Sequence, residues 1–250
     1  MMELNEIKAF LDSKVEEYNH SSFISDDPIQ VVHQFSIKED IEIIGFLTAT
    51  IAWGNRKSII KNANRLVEIM DNNPFEFIKT YDDEREFDFV HRTFNSVDLK
   101  FFFRSLQNIY LNHGGLEEVF DSQLSAKERI VKFRNIFLSI DHLERSKKHL
   151  SNPNKGSSAK RINMYLRWMI RNDKKGVDFG IWKNHKSSDL YVPLDVHTGV
   201  SARQLGLITR NQNDWKALEE LMGHLQKFDF QDPCKYDFAL FGLSANKELN

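Results

Sequence analysis

In this 250-residue chain two residues stand where bond-making chemistry needs them, Lys160 and Asp195. Lys160 follows a polar turn, Asn154-Lys155-Gly156-Ser157-Ser158-Ala159, and opens a helical pattern. Unpaired backbone N–H groups at such a helix start, with the helix dipole behind them, make a site that a phosphate would fit. A cation in the first turn is disfavoured by the same dipole, so Lys160 gains nothing as a cap. A lysine placed there suits nucleophilic chemistry through its neutral amine; an arbitrary lysine is a solvated surface residue. Asp195 lies in Val192-Pro193-Leu194-Asp195-Val196-His197-Thr198-Gly199-Val200 and is placed to cap the next helix, with Val196, Val200 and Leu205 available for its buried side. A capping carboxylate held rigidly can also act as base or electrostatic partner, and the two roles are compatible.

Two other chemistries fit parts of these segments. Ser157-Ser158-Ala159-Lys160 matches the Ser-x-x-Lys of serine acyl-enzymes, but the companion Ser-Asp-Asn and Lys-Thr-Gly motifs are absent. Asp195-Val196-His197 could be half of a metal site, yet none of the nine histidines forms a His-Glu-x-x-His motif and Cys234 stands alone. A local hydrogen bond or a phosphate contact is the better reading of His197, and neither metal nor cofactor is expected.

The elements that must position these groups read as helices almost throughout. Apolar residues recur three and four apart, as in Leu4, Ile7, Phe10, Leu11, Val15 and Tyr18. The pattern predicts helices near 3–19, 28–36, 39–53, 56–71, 74–80, 98–112, 115–121, 125–140, 158–171, 195–205, 213–228 and 233–243. Asp27-Pro28, Asn73-Pro74 and Asp232-Pro233 each set a capping side chain before a proline at a helix start. Strands are at most minor, so the class is all-α, with irregular stretches expected at 82–96, 141–157 and 172–194. In the helix after Gly156, Ile162, Tyr165, Leu166 and Met169 form the core face, with Asn163, Arg167 and Arg171 elsewhere. The run Phe101-Phe102-Phe103 faces several sides of one helix, which suggests packing between lobes, and Trp182 can anchor its loop to the core.

With 41% apolar residues and 20 phenylalanines the chain is neither disordered nor low-complexity. One cysteine excludes an internal disulfide and any four-cysteine cluster. The first residues are acidic where a signal peptide is basic, and no apolar run is long enough to span a bilayer, so a cytoplasmic protein is expected. The net charge of −2 speaks against a polyanionic partner only until it is located. Residues 1–44 carry ten acids against three lysines, a local −7, and residues 145–175 carry ten bases against one acid, a local +9. A charge run is often just a solvated face. Here it includes Gly, Ser, Asn and aromatics, as phosphate-tracking surfaces do.

Several of these segments resemble the helix-hairpin-helix superfamily of DNA glycosylases, and within it the 8-oxoguanine DNA glycosylases. Val192-Pro193-Leu194-Asp195-Val196-His197 resembles the stretch carrying their essential aspartate, and Gly156-Ser157-Ser158-Ala159-Lys160 the end of their hairpin with its Schiff-base lysine. Residues 43–65, with Trp53-Gly54-Asn55-Arg56 at their centre, are similar to an early helix pair, and Tyr236-Asp237-Phe238-Ala239-Leu240-Phe241 to the last helix, which lines the base pocket. The correspondence runs in order from about residue 28 to 243. The whole chain is also similar to a bacterial group carried as a domain of unknown function.

The resemblance implies a two-lobed fold with a cleft between the lobes, residues 38–171 forming one lobe and 1–37 with 172–250 the other. It implies base excision from lesion-containing double-stranded DNA by a monomer, nucleoid-associated when bound. The base would be an oxidised purine such as 8-oxoguanine, removed through a lysine Schiff base with or without strand cleavage. Lys160 and Asp195 would be catalytic. Asn55, Arg56, Lys57, Lys155, Gly156, Ser157, Ser158, Arg161 and His197 would contact DNA, and Trp168, Asp237, Phe238 and Phe241 would form the base pocket. The alternative is a catalytically inert nucleic-acid binder on the same fold. The chain departs from the family in its hairpin, where Leu150-Ser151-Asn152-Pro153-Asn154-Lys155-Gly156 keeps one proline and one glycine, and in Asp237, which replaces a pocket amide. The separation of Lys160 from Asp195 is 35 positions, wider than in most members and comparable to an archaeal 8-oxoguanine branch. The lone Cys234 excludes the iron–sulfur branch.

Overall fold

The computed structural model describes residues 2–249 and is all-α apart from one two-stranded hairpin. The chain divides into two compact units, residues 24–151 and residues 1–23 joined with 152–250. This boundary corrects the expected division at 37/38 and 171/172. The basic helix falls with the C-terminal segment because its partners lie there: Phe179 N–H donates to Trp168 O (2.8 Å) and Trp182 N–H to Met169 O (3.0 Å).

The unit 24–151 holds α2 (Ile29–Val32), α3 (Lys38–Ile51), α4 (Arg56–Ile69), α5 (Pro74–Lys79), the hairpin β1 (Val90–His91) and β2 (Phe94–Asn95), α6 (Ser96–Asn112), α7 (Leu116–Val119) and α8 (Ala126–Phe137). Every residue of α3 from Asp40 to Ile51 is buried, as befits a helix apolar on all sides. Around it the phenylalanines form one cluster: Phe102 lies 5.9 Å from Phe46, 5.1 Å from Phe94 and 4.8 Å from Phe137 between ring centres. Phe103 turns instead to Phe77 and Tyr81, and Phe101 to Phe137 and His142. The run at 101–103 therefore fills the core of one unit, which corrects its expected role in packing between lobes.

The other unit holds α1 (Leu4–Tyr18), α9 (Lys160–Ile170), α10 (Val196–Gln204), α11 (Trp215–Phe228) and α12 (Tyr236–Ala245), with α12 packed on α1 and α10. Its long connection, 171–195, is pinned by Trp182, which is 1% exposed and meets Tyr165 edge to face. The cap expectations divide. Asp27 accepts from Ile29 N–H (3.0 Å), but neither Asn73 nor Asp232 caps through its side chain. Asp232 gives both carboxylate oxygens to Arg171 Nε at 3.0 Å instead, because a charged guanidinium is the stronger donor.

Two further expectations are corrected. The polar side of α9 does not face solvent: Asn163, Arg167 and the C-cap Arg171 are buried along with its apolar residues. On α10 the buried side is made of Thr198, Gly199, Ser201 and Ala202, leaving Val196 72% and Val200 42% exposed. Thr198 and His197 meet Asp237, Phe241 and Ser244 of α12, and the valines face out.

Candidate active site

Lys160 and Asp195 begin neighbouring helices and meet. Ala159, in the left-handed region at φ 51°, turns the chain into α9, and Ser158 Oγ donates to Leu194 O (3.4 Å), tying that turn to the residue before Asp195. Lys160 Nζ lies 3.2 Å from Asp195 Oδ2, with the lysine side chain 36% and the aspartate side chain 14% exposed. The other oxygen, Asp195 Oδ1, accepts from Thr198 N–H (2.9 Å), the N-cap the sequence predicts. One carboxylate thus caps a helix with one oxygen and holds an amine with the other. Ser157 Oγ accepts from Ala159 N–H (3.2 Å), and Lys155 and Gly156 are exposed beside it.

Behind the pair lies a buried charge network. Arg167 contacts Asp237 and, through Nε, Asp178 Oδ1 (3.1 Å), while Arg171 contacts Asp178, Asp232 and Asp173. Burial opposes the charge on Arg171, but the three carboxylates outweigh it and push its guanidinium above the ordinary value. Asp237 fares differently: burial pushes its carboxyl from 3.8 up to about 6, Arg167 pulling against this and Asp195 and Asp178 adding to it. Thr198 Oγ1 donates to Asp237 Oδ1 at 3.4 Å, so a single residue joins the network to the Asp195 cap.

This network changes the meaning of the +9 segment. Arg167, Arg171 and Lys175 are matched by acids of their own unit, and Arg145 and Lys147 pair with Asp98 and Glu144 in the other. Lys148, Lys155 and Lys174 remain exposed, and burial lowers the half-buried Arg161 to about 10. The segment is not one positive face.

The expected pocket residues separate. Trp168 is fully buried, and Phe238, 1% exposed, lies under the Arg167 and Arg171 guanidiniums at 4.5 and 5.3 Å, so neither ring offers a face to a ligand. Asp237 is 6% exposed and committed to Arg167. Phe241 is half-buried, 5.5 Å from the ring of exposed His197, whose Nδ1 is 3.0 Å from Ser244 Oγ.

Asn55, Arg56 and Lys57 belong to the other unit. Asn55 caps α4 by accepting from Ser58 N–H (3.2 Å), and Arg56 and Lys57 are exposed. Sequence reasoning missed Arg92 there. Its guanidinium lies against Gly54, where an added Cβ would meet it at 2.7 Å, and His91 Nε2 lies 3.1 Å from Trp53 O, so the hairpin tip joins the α3–α4 turn. The positive φ of 55° at Arg92 carries no sequence signal of its own.

No curated protein and no solved structure matches the chain. A family model described as "Protein of unknown function (DUF2400)" matches residues 27–246, from α2 through the end of α12, and the chain belongs to that family.

Proposed function

We propose that the chain is a DNA glycosylase that uses Lys160 as nucleophile and Asp195 as its proton and charge partner. The observation that carries this reading is the 3.2 Å approach of amine to carboxylate at two adjacent helix starts, partly open to solvent. A flipped nucleotide, extruded at a stacking cost of a few kcal/mol, would present C1′ to the amine. The Lys160 lone pair forms the bond to C1′, the N-glycosidic bond breaks with its electrons leaving on the base, and the amine proton passes to Asp195. The same carboxylate stabilises positive charge developing at the sugar. Opening of the sugar ring then yields a Schiff base, from which loss of the C2′ proton and of the 3′ phosphate would cut the strand. Lys155 and the Gly156–Ser158 turn would contact phosphates near the target, and exposed Arg56, Lys57 and Arg92 would give the other unit a basic surface of its own. Phe241 is the pocket ring with surface left to stack on a base.

A second reading, an inert nucleic-acid binder, draws on the same ion pair, since a lysine paired with a carboxylate is no nucleophile until its proton moves. Duplexes each carrying one oxidised, deaminated or alkylated base separate the two. Base release by wild type that is lost in Lys160→Gln supports the enzyme. Salt-sensitive binding with no release from any duplex supports the binder.

A further inference from the structure

Three consecutive residues at the start of α11, Asn213, Asp214 and Trp215, reach both halves of the Lys160–Asp195 site. Trp215 N–H donates to Gly156 O at 2.9 Å, and Ser157 and Asp214 pair as an antiparallel bridge, so the turn before Lys160 is fixed to this segment. Asn213 Nδ2 donates to Asp195 O at 2.7 Å, so the main chain at Asp195 is fixed to it as well. The Asn213 amide is itself oriented. Arg203 Nη2 donates to Asn213 Oδ1 (2.7 Å), which turns Nδ2 toward Asp195, while Arg203 Nη1 and Nε hold Gly199 O (2.9 Å) and Arg210 O (2.8 Å). Asp214 caps α11 through Ala217 N–H (3.0 Å) and receives Arg210 Nε (2.7 Å), so the segment is braced at its far side.

Gly199 makes room for this bracket. An added Cβ would lie 2.6 Å from Asn213 Oδ1 and 2.7 Å from Arg203 Nη1, both of them already held in place. None of these interactions is needed to cap α10, which Asp195 Oδ1 does alone. Holding an acid within about half an ångström of its productive position takes such a second layer of locked side chains.

We propose that Asn213, oriented by Arg203 in the space left by Gly199, is the positioning residue that sets the Asp195 carboxylate against the Lys160 amine. The proposal rests on the Lys160–Asp195 reading above, and two neutral substitutions test it. Asn213→Ala removes the donor. Gly199→Ala leaves Asn213 in the chain, displaces its amide, and at the same time favours the helix. The first readout needs no DNA: competitive acetylation of the native protein with acetic anhydride, read by mass spectrometry, with exposed Lys155 as internal reference. Both variants should acetylate Lys160 faster relative to Lys155, by about threefold, as a loosened ion pair exposes its amine. The second readout is single-turnover base release, which should slow by about tenfold or more with DNA affinity unchanged. The helix gain of Gly199→Ala offsets part of the cost of the displaced amide, so that variant should stay folded with a denaturant midpoint close to wild type. Wild-type Lys160 labelling in both variants overturns the proposal, whether or not DNA is processed. Altered labelling together with no base release by wild type on any duplex leaves Asn213 as the positioning residue and removes the glycosylase reading.

Discussion

Replacing Asp237 with asparagine should remove a defined piece of the pH dependence of folding. Asp237 is 6% exposed and faces Arg167, with Asp178 and Asp195 as nearby carboxylates, and burial lifts its carboxyl from 3.8 to about 6. Between those values the folded chain holds a proton that the unfolded chain releases. The stabilisation is fully present below pH 3.8, and it is lost as pH rises through about 6. At roughly 1.4 kcal/mol per pH unit, the part of this shift realised between pH 4 and pH 7 is about 2 kcal/mol. Asparagine carries no titrating proton, so the difference in unfolding free energy between wild type and Asp237→Asn isolates this group from other titrating sites. Urea unfolding of both proteins at pH 4, 5, 6 and 7 measures it. The difference should move toward the variant by about 2 kcal/mol across the series, most steeply near pH 5. A flat difference, or one that moves toward wild type as pH rises, refutes the picture of a carboxyl strained by burial against Arg167.

Three further outcomes follow from other parts of the structure. Asp195→Asn keeps a capping side chain, so it should unfold within about 0.5 kcal/mol of wild type while base release falls more than about tenfold; Asp195→Ala should in addition lose about 1 kcal/mol, measured by urea unfolding. Arg171→Leu should destabilise by about 3–5 kcal/mol, because it takes one of two guanidinium partners from Asp178, 7% exposed, and removes the guanidinium that Asp232 and Asp173 share. That loss should appear in the urea midpoint at pH 7 and shrink at pH 4. Lys57→Ala with Arg92→Ala should weaken duplex binding uniformly across sequences and reduce the slope of log affinity against log salt by about 0.9 for each phosphate no longer neutralised, read by fluorescence anisotropy at several salt concentrations.

Much of the fold was legible because helical periodicity is local. Each α-helix of the described residues lies within a residue or a few of a predicted span, and Asp195 caps α10 where its sequence places it. What failed was non-local. The +9 segment counts Arg167 and Arg171 as surface charge, since nothing nearby in sequence announces that Asp232 and Asp237 return to neutralise them. Asp232 before its proline has the form of a cap, but a buried guanidinium competes for it. Val196 and Val200 have the spacing of a core face, yet Thr198, Gly199, Ser201 and Ala202 take the buried side, Thr198 against Asp237 and Gly199 against Asn213 and Arg203. The family resemblance singles out Lys160 and Asp195, whereas Asn213 and Arg203 lie in no motif. Their part appears only where side chains converge on the Asp195 carbonyl.

The central claim, that Lys160 is a nucleophile toward C1′, is tested most directly by sodium borohydride reduction of the protein with a duplex containing 8-oxoguanine, followed by mass mapping of the adduct. The account predicts a covalent protein–DNA species whose modified peptide carries the sugar remnant on Lys160, absent in Lys160→Gln and reduced in Asp195→Asn. An adduct on another lysine, or base release by Lys160→Gln at the wild-type rate, would contradict it.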